Sequence, residues 1–258
     1  MLKFIRARRY YSMIQRVKEK RWSIIQRHYP GLPRPEHLYF KEIEEKITHD
    51  SVVLEIGCGR RPGSGVEASV GGTRLFVGID LCLEHLRHFL NKSTCMPVFG
   101  DAQIIPFKNS SFDLVFCRSV LEHIQYPESF VREIDRVLKP GGYFIFFTPN
   151  RWGYITIISR LLPDKLRANV VRMIHTREEQ DIFKAYYLMN DKSQLRRLFK
   201  QTRLTEQRFI MKQQYPIDLW FSLVLLYAGI LFERIVNKYS WLSFLRGNII
   251  GCYSKRIE

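Results

Sequence analysis

The sequence lacks any C-x-x-C pair, and its cysteines, Cys58, Cys82, Cys95, Cys117 and Cys252, are odd in number. That excludes a zinc-ribbon pattern and argues against a disulfide framework. Four of the five sit in or beside apolar runs, where a thiol acts as a small apolar group, as expected in a reducing compartment. There is no internal repeat and no low-complexity tract, so solenoids and fibrous arrays are excluded. The N-terminus has neither the unbroken apolar core nor the small-residue cleavage site of a secretory signal. No apolar stretch reaches the roughly 20 residues that a membrane-spanning helix requires; Leu219–Phe232 offers 14 consecutive uncharged residues. Acids are almost missing before Pro30, where Glu19 faces nine basic residues: Lys3, Arg6, Arg8, Arg9, Arg16, Lys18, Lys20, Arg21 and Arg27. Half of the chain's net charge of +16 therefore lies in its first tenth. Such a patch attracts anionic surfaces, whether phospholipid or nucleic acid. The expected location is the cytoplasm, with peripheral attachment to an anionic membrane as an added possibility.

The 258 residues are 46% hydrophobic and 14% aromatic, enough for one large folded unit. Three segments are expected: a basic helical segment at 1–35, a core at 36–150, and a C-terminal part at 151–258 that completes the sheet. Short apolar runs bounded by Gly, Asp or Pro predict strands at Val52–Ile56, Leu75–Ile79, Pro97–Phe99, Phe112–Cys117 and Tyr143–Thr148. Helical stretches are expected between them, at Leu83–Asn91 and Glu128–Leu138. Strands alternating with helices imply an α/β fold with a parallel sheet covered on both faces. Ligands then bind at the carboxyl ends of the strands, near the point where strand order reverses. Further on, Asn190 or Asp191 is expected to cap a helix running to Thr202, with Leu195, Leu198 and Phe199 on one face. Gly247–Tyr253 reads as the final strand.

The motifs fall at those strand ends. Val52–Arg60 is a buried strand running into a turn with Gly57 and Gly59, where the chain can be approached closely. A dinucleotide site would need G-x-G-x-x-G, but Pro62 stands at the last glycine. Glu55 would also face a pyrophosphate there, whereas it could attract a ligand carrying an ammonium and a sulfonium. Asp80 ends the second strand about 20 residues on, where an acid can accept from ribose hydroxyls; the other reading is an N-cap for the helix at Leu83. Asp101, in Gly100-Asp101-Ala102, can receive an adenine amino group, although Gly-Asp alone is also a turn.

Taken together, VLEIGCG (53–59), VGID (77–80), GDAQIIPF (100–107), SFDLVFCRSVLEH (111–123) and REIDRVLKPGGYFIFFTPN (132–150) resemble the class I S-adenosylmethionine-dependent methyltransferases, in particular the type 11 group. The resemblance covers the central two-fifths of the chain. It implies a Rossmann-like, seven-stranded, mostly parallel sheet whose last pair is antiparallel. It implies S-adenosylmethionine as cofactor and S-adenosylhomocysteine as product. By motif position it puts Glu55, Gly57, Cys58 and Gly59 around the methionine moiety. Asp80 and Leu81 fall at the ribose, Asp101 and Ala102 at the adenine, and Arg118 close by at the end of the fourth strand. The chain departs from the pattern at Arg61, where a third glycine is usual, so the loop after Gly59 is expected to be reshaped; Arg60 or Arg61 could pair with the methionine carboxylate.

Methyl transfer to oxygen needs alignment, exclusion of water and usually a base. His123 is the candidate base, its alternative role being to order the loop. Some quinone-type relatives bind a metal through an acid where Ser119 stands, so no metal is expected. TPNRWGY (148–154) and the acidic-aromatic stretch 178–186 resemble methyltransferases of polysaccharide and glycolipid metabolism. The expected acceptor is a small molecule, a sugar or a lipid-linked compound. Two other classes stay open. An RNA methyltransferase fits the charge but not Thr148-Pro-Asn150, which replaces the Pro-Pro-Tyr type of motif; a non-catalytic cofactor-binding protein fits the altered glycine loop. Leu219–Phe232 is expected to be either a buried lid over the acceptor or an element dipping into a bilayer surface.

Overall fold

In the computed structural model the described residues are 17, 19–31, 34–88, 95–161, 183–216 and 219–257. Six of the nine N-terminal basic residues, the end of the expected Leu83–Asn91 helix and residues 178–182 lie outside them.

Seven strands form one sheet: β1 (Val52–Ile56), β2 (Leu75–Asp80), β3 (Met96–Phe99), β4 (Phe112–Arg118), β5 (Leu138–Pro149), β6 (Leu204–Lys212) and β7 (Asn248–Lys255). Their order is β3-β2-β1-β4-β5-β7-β6. The first five are parallel, and β7 runs antiparallel to both β5 and β6. Strand order reverses between β1 and β4, which opens a crevice at their carboxyl ends.

The helices are α1 (19–28), α2 (Pro35–Glu44), α3 (Glu67–Gly71), α4 (Leu83–Arg87), α5 (Pro127–Val137), α6 (Tyr154–Leu161), α7 (Lys192–Phe199) and α8 (Leu223–Lys238). The period of two along each strand divides the core. Leu54, Ile56, Val115 and Phe144 pack with Phe130 and Ile134 of α5 and with Leu195 and Phe199 of α7. Val53, Leu114, Phe116 and Ile145 pack on the other face with Tyr39 and Ile43 of α2. With both faces covered, the strands read as continuous apolar runs.

Strand β5 starts at Leu138, earlier than the sequence predicts, because Leu138 already pairs with Phe112 before the register shifts between Phe112 and Leu114. The expected Asp191–Thr202 helix is shorter, and Asp191 is its cap: its Oδ1 accepts from Gln194 N at 2.8 Å.

A third apolar cluster lies outside the sheet. Ile25 and Tyr29 of α1 pack on Tyr215 and on Leu226 and Ile230 of α8. The Tyr29 hydroxyl donates to Glu233 at 2.6 Å, and Arg34 Nε donates to the Tyr215 hydroxyl at 3.0 Å. The described part of the N-terminal segment is therefore docked, not a solvated arm. The described residues between β6 and β7, 213–216 and 219–247, are fastened to the end of β5 near Phe244 and Arg246. Asn150, fully buried, donates through its amide to the carbonyls of Phe244 (2.6 Å) and Arg246 (2.7 Å).

Candidate active site

One cleft of about 1850 Å³ runs along the carboxyl ends of the strands and under α1, α6 and α8. Ligand pockets commonly enclose about 300–1,000 Å³, so this one has room for two molecules side by side. All ten sequence-predicted positions, Glu55, Gly57, Cys58, Gly59, Asp80, Leu81, Asp101, Ala102, Arg118 and His123, line it.

The turn after β1 explains its glycines. Gly57 (φ +68°) and Gly59 (φ +59°) are left-handed. A Cβ at Gly57 would collide with Val120, whereas at Gly59 nothing lies within 4 Å. The first glycine is thus demanded by packing and the second faces open space where a ligand can lie against the backbone. The Asp80 carboxylate holds this turn. Its Oδ2 accepts from Gly59 N and its Oδ1 from Cys82 N, both at 2.8 Å, with His85 Nδ1 at 3.5 Å. The N-cap of α4 is Cys82, so Asp80 does not have the capping role. Two of its four lone-pair positions are used by amides, leaving the others for hydroxyl donors.

The reshaped loop has a specific consequence. Gly63 N donates to Glu55 Oε2 at 2.6 Å, so the loop folds back over the acid at the end of β1. Burial pushes the Glu55 carboxyl up to about 8, against the Gly63 hydrogen bond and the nearby Arg118 charge. A cationic ligand beside it would restore its ionised form. Arg60 and Arg61 both line the cleft. Asp101 accepts from Gln103 N at 2.8 Å and from the Gln103 amide at 3.1 Å, while Gln103 Oε1 accepts from Tyr126 N at 2.7 Å. Asp101 is therefore both the turn former and a candidate ligand group. Arg118 is exposed and stacks over Phe40 at 5.5 Å.

The structure adds contacts that the sequence did not mark. Ser119 follows β4 with φ +56°, rare for serine, and its N–H donates to Phe147 O at 2.8 Å. Such strained positions cluster at functional sites. Next to it, His123 Nδ1 lies 2.9 Å from the Lys184 carbonyl. That oxygen can only accept, so Nδ1 carries a proton, and of the two neutral tautomers the contact selects the one whose lone pair is at Nε2. Phe183 packs edge-on against both His85 and His123. Glu122, buried, accepts from Thr148 at 3.1 Å, and its carbonyl accepts from Tyr186 N at 2.7 Å. It fastens the 183–190 segment beside the site. Nothing local announces these roles, because the partners lie between 26 and 64 residues away.

Under the helices the lining includes the apolar Trp22, Ile25, Ile155, Leu219 and Phe232, interspersed with Glu19, Gln213 and Gln214. Tyr154 and Phe232 meet edge-to-face at 5.3 Å, which joins α6 to α8.

Comparison with known proteins agrees with this geometry. Residues 54–146 match the family model described as a methyltransferase domain, type 11. The fatty-acid O-methyltransferase of Mycolicibacterium smegmatis is 33% identical over 114 residues, 42% of this chain and 41% of that protein. A ubiquinone biosynthesis O-methyltransferase of Paracidovorax citrulli is 34% identical over 106 residues, 38% of this chain and 44% of that one. The alignments span about half the length of the curated relatives, or less. Among solved structures, the geranyl diphosphate C-methyltransferase of Streptomyces coelicolor superposes with a TM-score of 0.56 at 13% identity, covering 86% of this chain and 81% of that one. The fold is thus that of the Rossmann-like methyltransferases. Residues 54–146, about a third of the chain, thus match the methyltransferase domain of the type 11 group.

Proposed function

We propose that the protein transfers a methyl group from S-adenosylmethionine to an oxygen atom of an apolar small molecule, lipid or lipid-linked sugar. The observation that carries this is the cleft: polar and glycine-lined at the strand ends, richer in apolar side chains beneath α1, α6 and α8, and large enough for both reactants. The enclosed end fits the cofactor, because a buried acid (Glu55) and a backbone open at Gly59 meet a ligand with a cationic head. In this reading Glu55 and the 57–59 turn hold the methionine part, Asp80 and Leu81 the ribose, and Asp101 and Ala102 the adenine. Arg118 screens the same end.

When bound, the cofactor supplies a methyl group already activated by its sulfonium. The protein's own part is alignment, exclusion of water and removal of one proton. His123 Nε2 would take the acceptor's hydroxyl proton, leaving the oxygen to accept the methyl group that the bound cofactor's sulfonium would release; the Lys184 carbonyl favours the tautomer that makes this possible. No divalent metal enters the scheme, because Ser119 stands where a metal-binding acid would, and activity should persist in a chelator. The relatives named as a fatty-acid O-methyltransferase and a ubiquinone biosynthesis O-methyltransferase support an apolar oxygen acceptor. Asn150 supports it too: its amide is committed to the carbonyls of Phe244 and Arg246 and is not turned to an acceptor amino group.

The test is incubation with methyl-labelled S-adenosylmethionine and fractionated cell extract. Label in the solvent-extracted lipid fraction is the expected result. Label confined to RNA would replace this reading with the nucleic-acid one, and cofactor binding without any transfer would replace it with a non-catalytic one.

A further inference from the structure

Helix α8 is built the wrong way round for a helix facing water. Its inward face, Leu226, Ile230 and Val236, is buried. Its outward face carries Val224, Tyr227, Leu231 and Ile235, all exposed, with Val224 at 77% and Leu231 at 61%. Their spacing of three to four residues makes one continuous stripe. A surface helix ordinarily turns charge outward at those positions. In the turn that follows, Trp241 is 72% exposed and Phe244 51%.

Cations frame this stripe. Lys20 and Arg21 of α1 line a shallow hollow of about 440 Å³ together with Leu223 and Tyr227. Arg27, Arg234 and Lys238 are exposed on the same two helices. The acid on α8, Glu233, accepts the Tyr29 hydroxyl and the Asn237 amide. The mouth of the cleft adjoins, since Ile158, Phe221 and Leu225 both line the cleft and are exposed. Among the described residues no helix is long and apolar enough to cross a membrane.

We propose that α1 and α8 form a seating surface for an anionic phospholipid bilayer, which places the mouth of the cleft against the membrane. Interfacial helices bury an apolar face at the headgroup boundary while flanking cations meet lipid phosphates and aromatic rings sit at headgroup level. Here apolar stripe, cations and exposed aromatics occur together. An acceptor dissolved in the bilayer could enter the apolar end of the cleft without crossing water. That last consequence rests on the lipid-acceptor reading; the seating itself does not.

The experiment is co-sedimentation of the full chain at physiological salt with vesicles of phosphatidylglycerol and phosphatidylcholine, and with phosphatidylcholine alone. Binding to the anionic vesicles only is expected. Two double variants outside the cleft, Val224→Glu with Leu231→Glu and Lys20→Glu with Arg21→Glu, should each weaken binding at least tenfold while leaving the melting temperature and S-adenosylhomocysteine affinity unchanged. Transfer to lipid extract in detergent should also be unchanged, whereas transfer to the same lipid in anionic vesicles should drop. A wild-type protein that binds the cofactor product yet stays in the supernatant with both vesicle types overturns the seating. So does a dimer in solution that Val224→Glu with Leu231→Glu dissociates without any vesicle binding, which would give the face to a second copy. Absence of methyl transfer alongside normal vesicle binding would instead count against the enzymatic reading alone.

Discussion

The strand-end half of the cleft and the half beneath α1, α6 and α8 are built on different principles. At the strand ends, polar groups come from short loops close in sequence to the strands that hold them: Glu55 with Gly63, Asp80 with Gly59 and Cys82, Asp101 with Gln103. Beneath the helices, apolar groups come from opposite ends of the chain: Trp22 meets Tyr215 at 5.9 Å between ring centres, and Tyr29 reaches Glu233 across 204 residues. The first half is fixed by hydrogen bonds to backbone and suits a ligand of constant structure. The second is fixed by burial and can change its lining without disturbing the sheet. One cleft can thus keep one cofactor while its acceptor varies.

The largest expected effect lies where the halves meet. His123→Ala should lower transfer to an oxygen acceptor by about 10²–10⁴-fold, the range for a general base, while S-adenosylhomocysteine affinity is preserved. Turnover and calorimetry read the two separately. If the variant loses affinity in proportion to rate, His123 orders the loop and is not the base.

Next in size is the helical half. Ile230→Ala or Leu226→Ala removes a buried side chain from the α1–α8 cluster, and each should cost about 2–5 kcal/mol by denaturant unfolding. Because that cluster lies outside the sheet, the loss should appear first as easier proteolysis within 19–31 and 213–247. A uniform loss of protection across the sheet would erase the distinction between the halves.

A smaller effect is expected from Asp80→Ala. If Asp80 holds the cofactor ribose as proposed, its loss should weaken binding by about 1.5–3 kcal/mol, measured by calorimetric titration. Unchanged affinity would contradict the assignment of the strand-end half.

The smallest concerns Glu55 and pH. Its carboxyl is raised to about 8 in the folded protein from an ordinary value of 4.5. The folded state therefore holds this proton more tightly than the unfolded chain. The resulting stabilisation is complete below pH 4.5 and is lost as pH rises through about 8. Glu55→Gln stays neutral throughout and keeps an oxygen for Gly63 N. Its melting temperature without cofactor should gain on the wild type between pH 5 and pH 9, by roughly 2–4 °C per kcal/mol recovered. A gap independent of pH would show that the Glu55 carboxyl is not raised.

The same division decides what the sequence could reveal. The strands, the glycine turn and the strand-end acids were legible because buried strands and left-handed turns demand residue types at fixed local spacing. The uncharged run at 219–232 was visible as well, but not its role. Whether such a run is buried, exposed or part of a cleft depends on what packs against it, and α1 lies some 200 residues earlier. The docking of α1, the strained Ser119 and the anchoring of 183–190 by Glu122 escaped for the same reason. Asp80 and Asp101 each had two readings in sequence; geometry removes capping from the first and shows that the second also forms the turn.

The division of labour is tested most directly by titrating S-adenosylhomocysteine into Phe232→Ala and Asp80→Ala in parallel, with transfer to the lipid extract measured alongside. The account predicts that Phe232→Ala keeps its affinity within about twofold, as for well-separated sites, while the KM for the acceptor rises, and that Asp80→Ala loses affinity. Equal loss of affinity in both variants would contradict it.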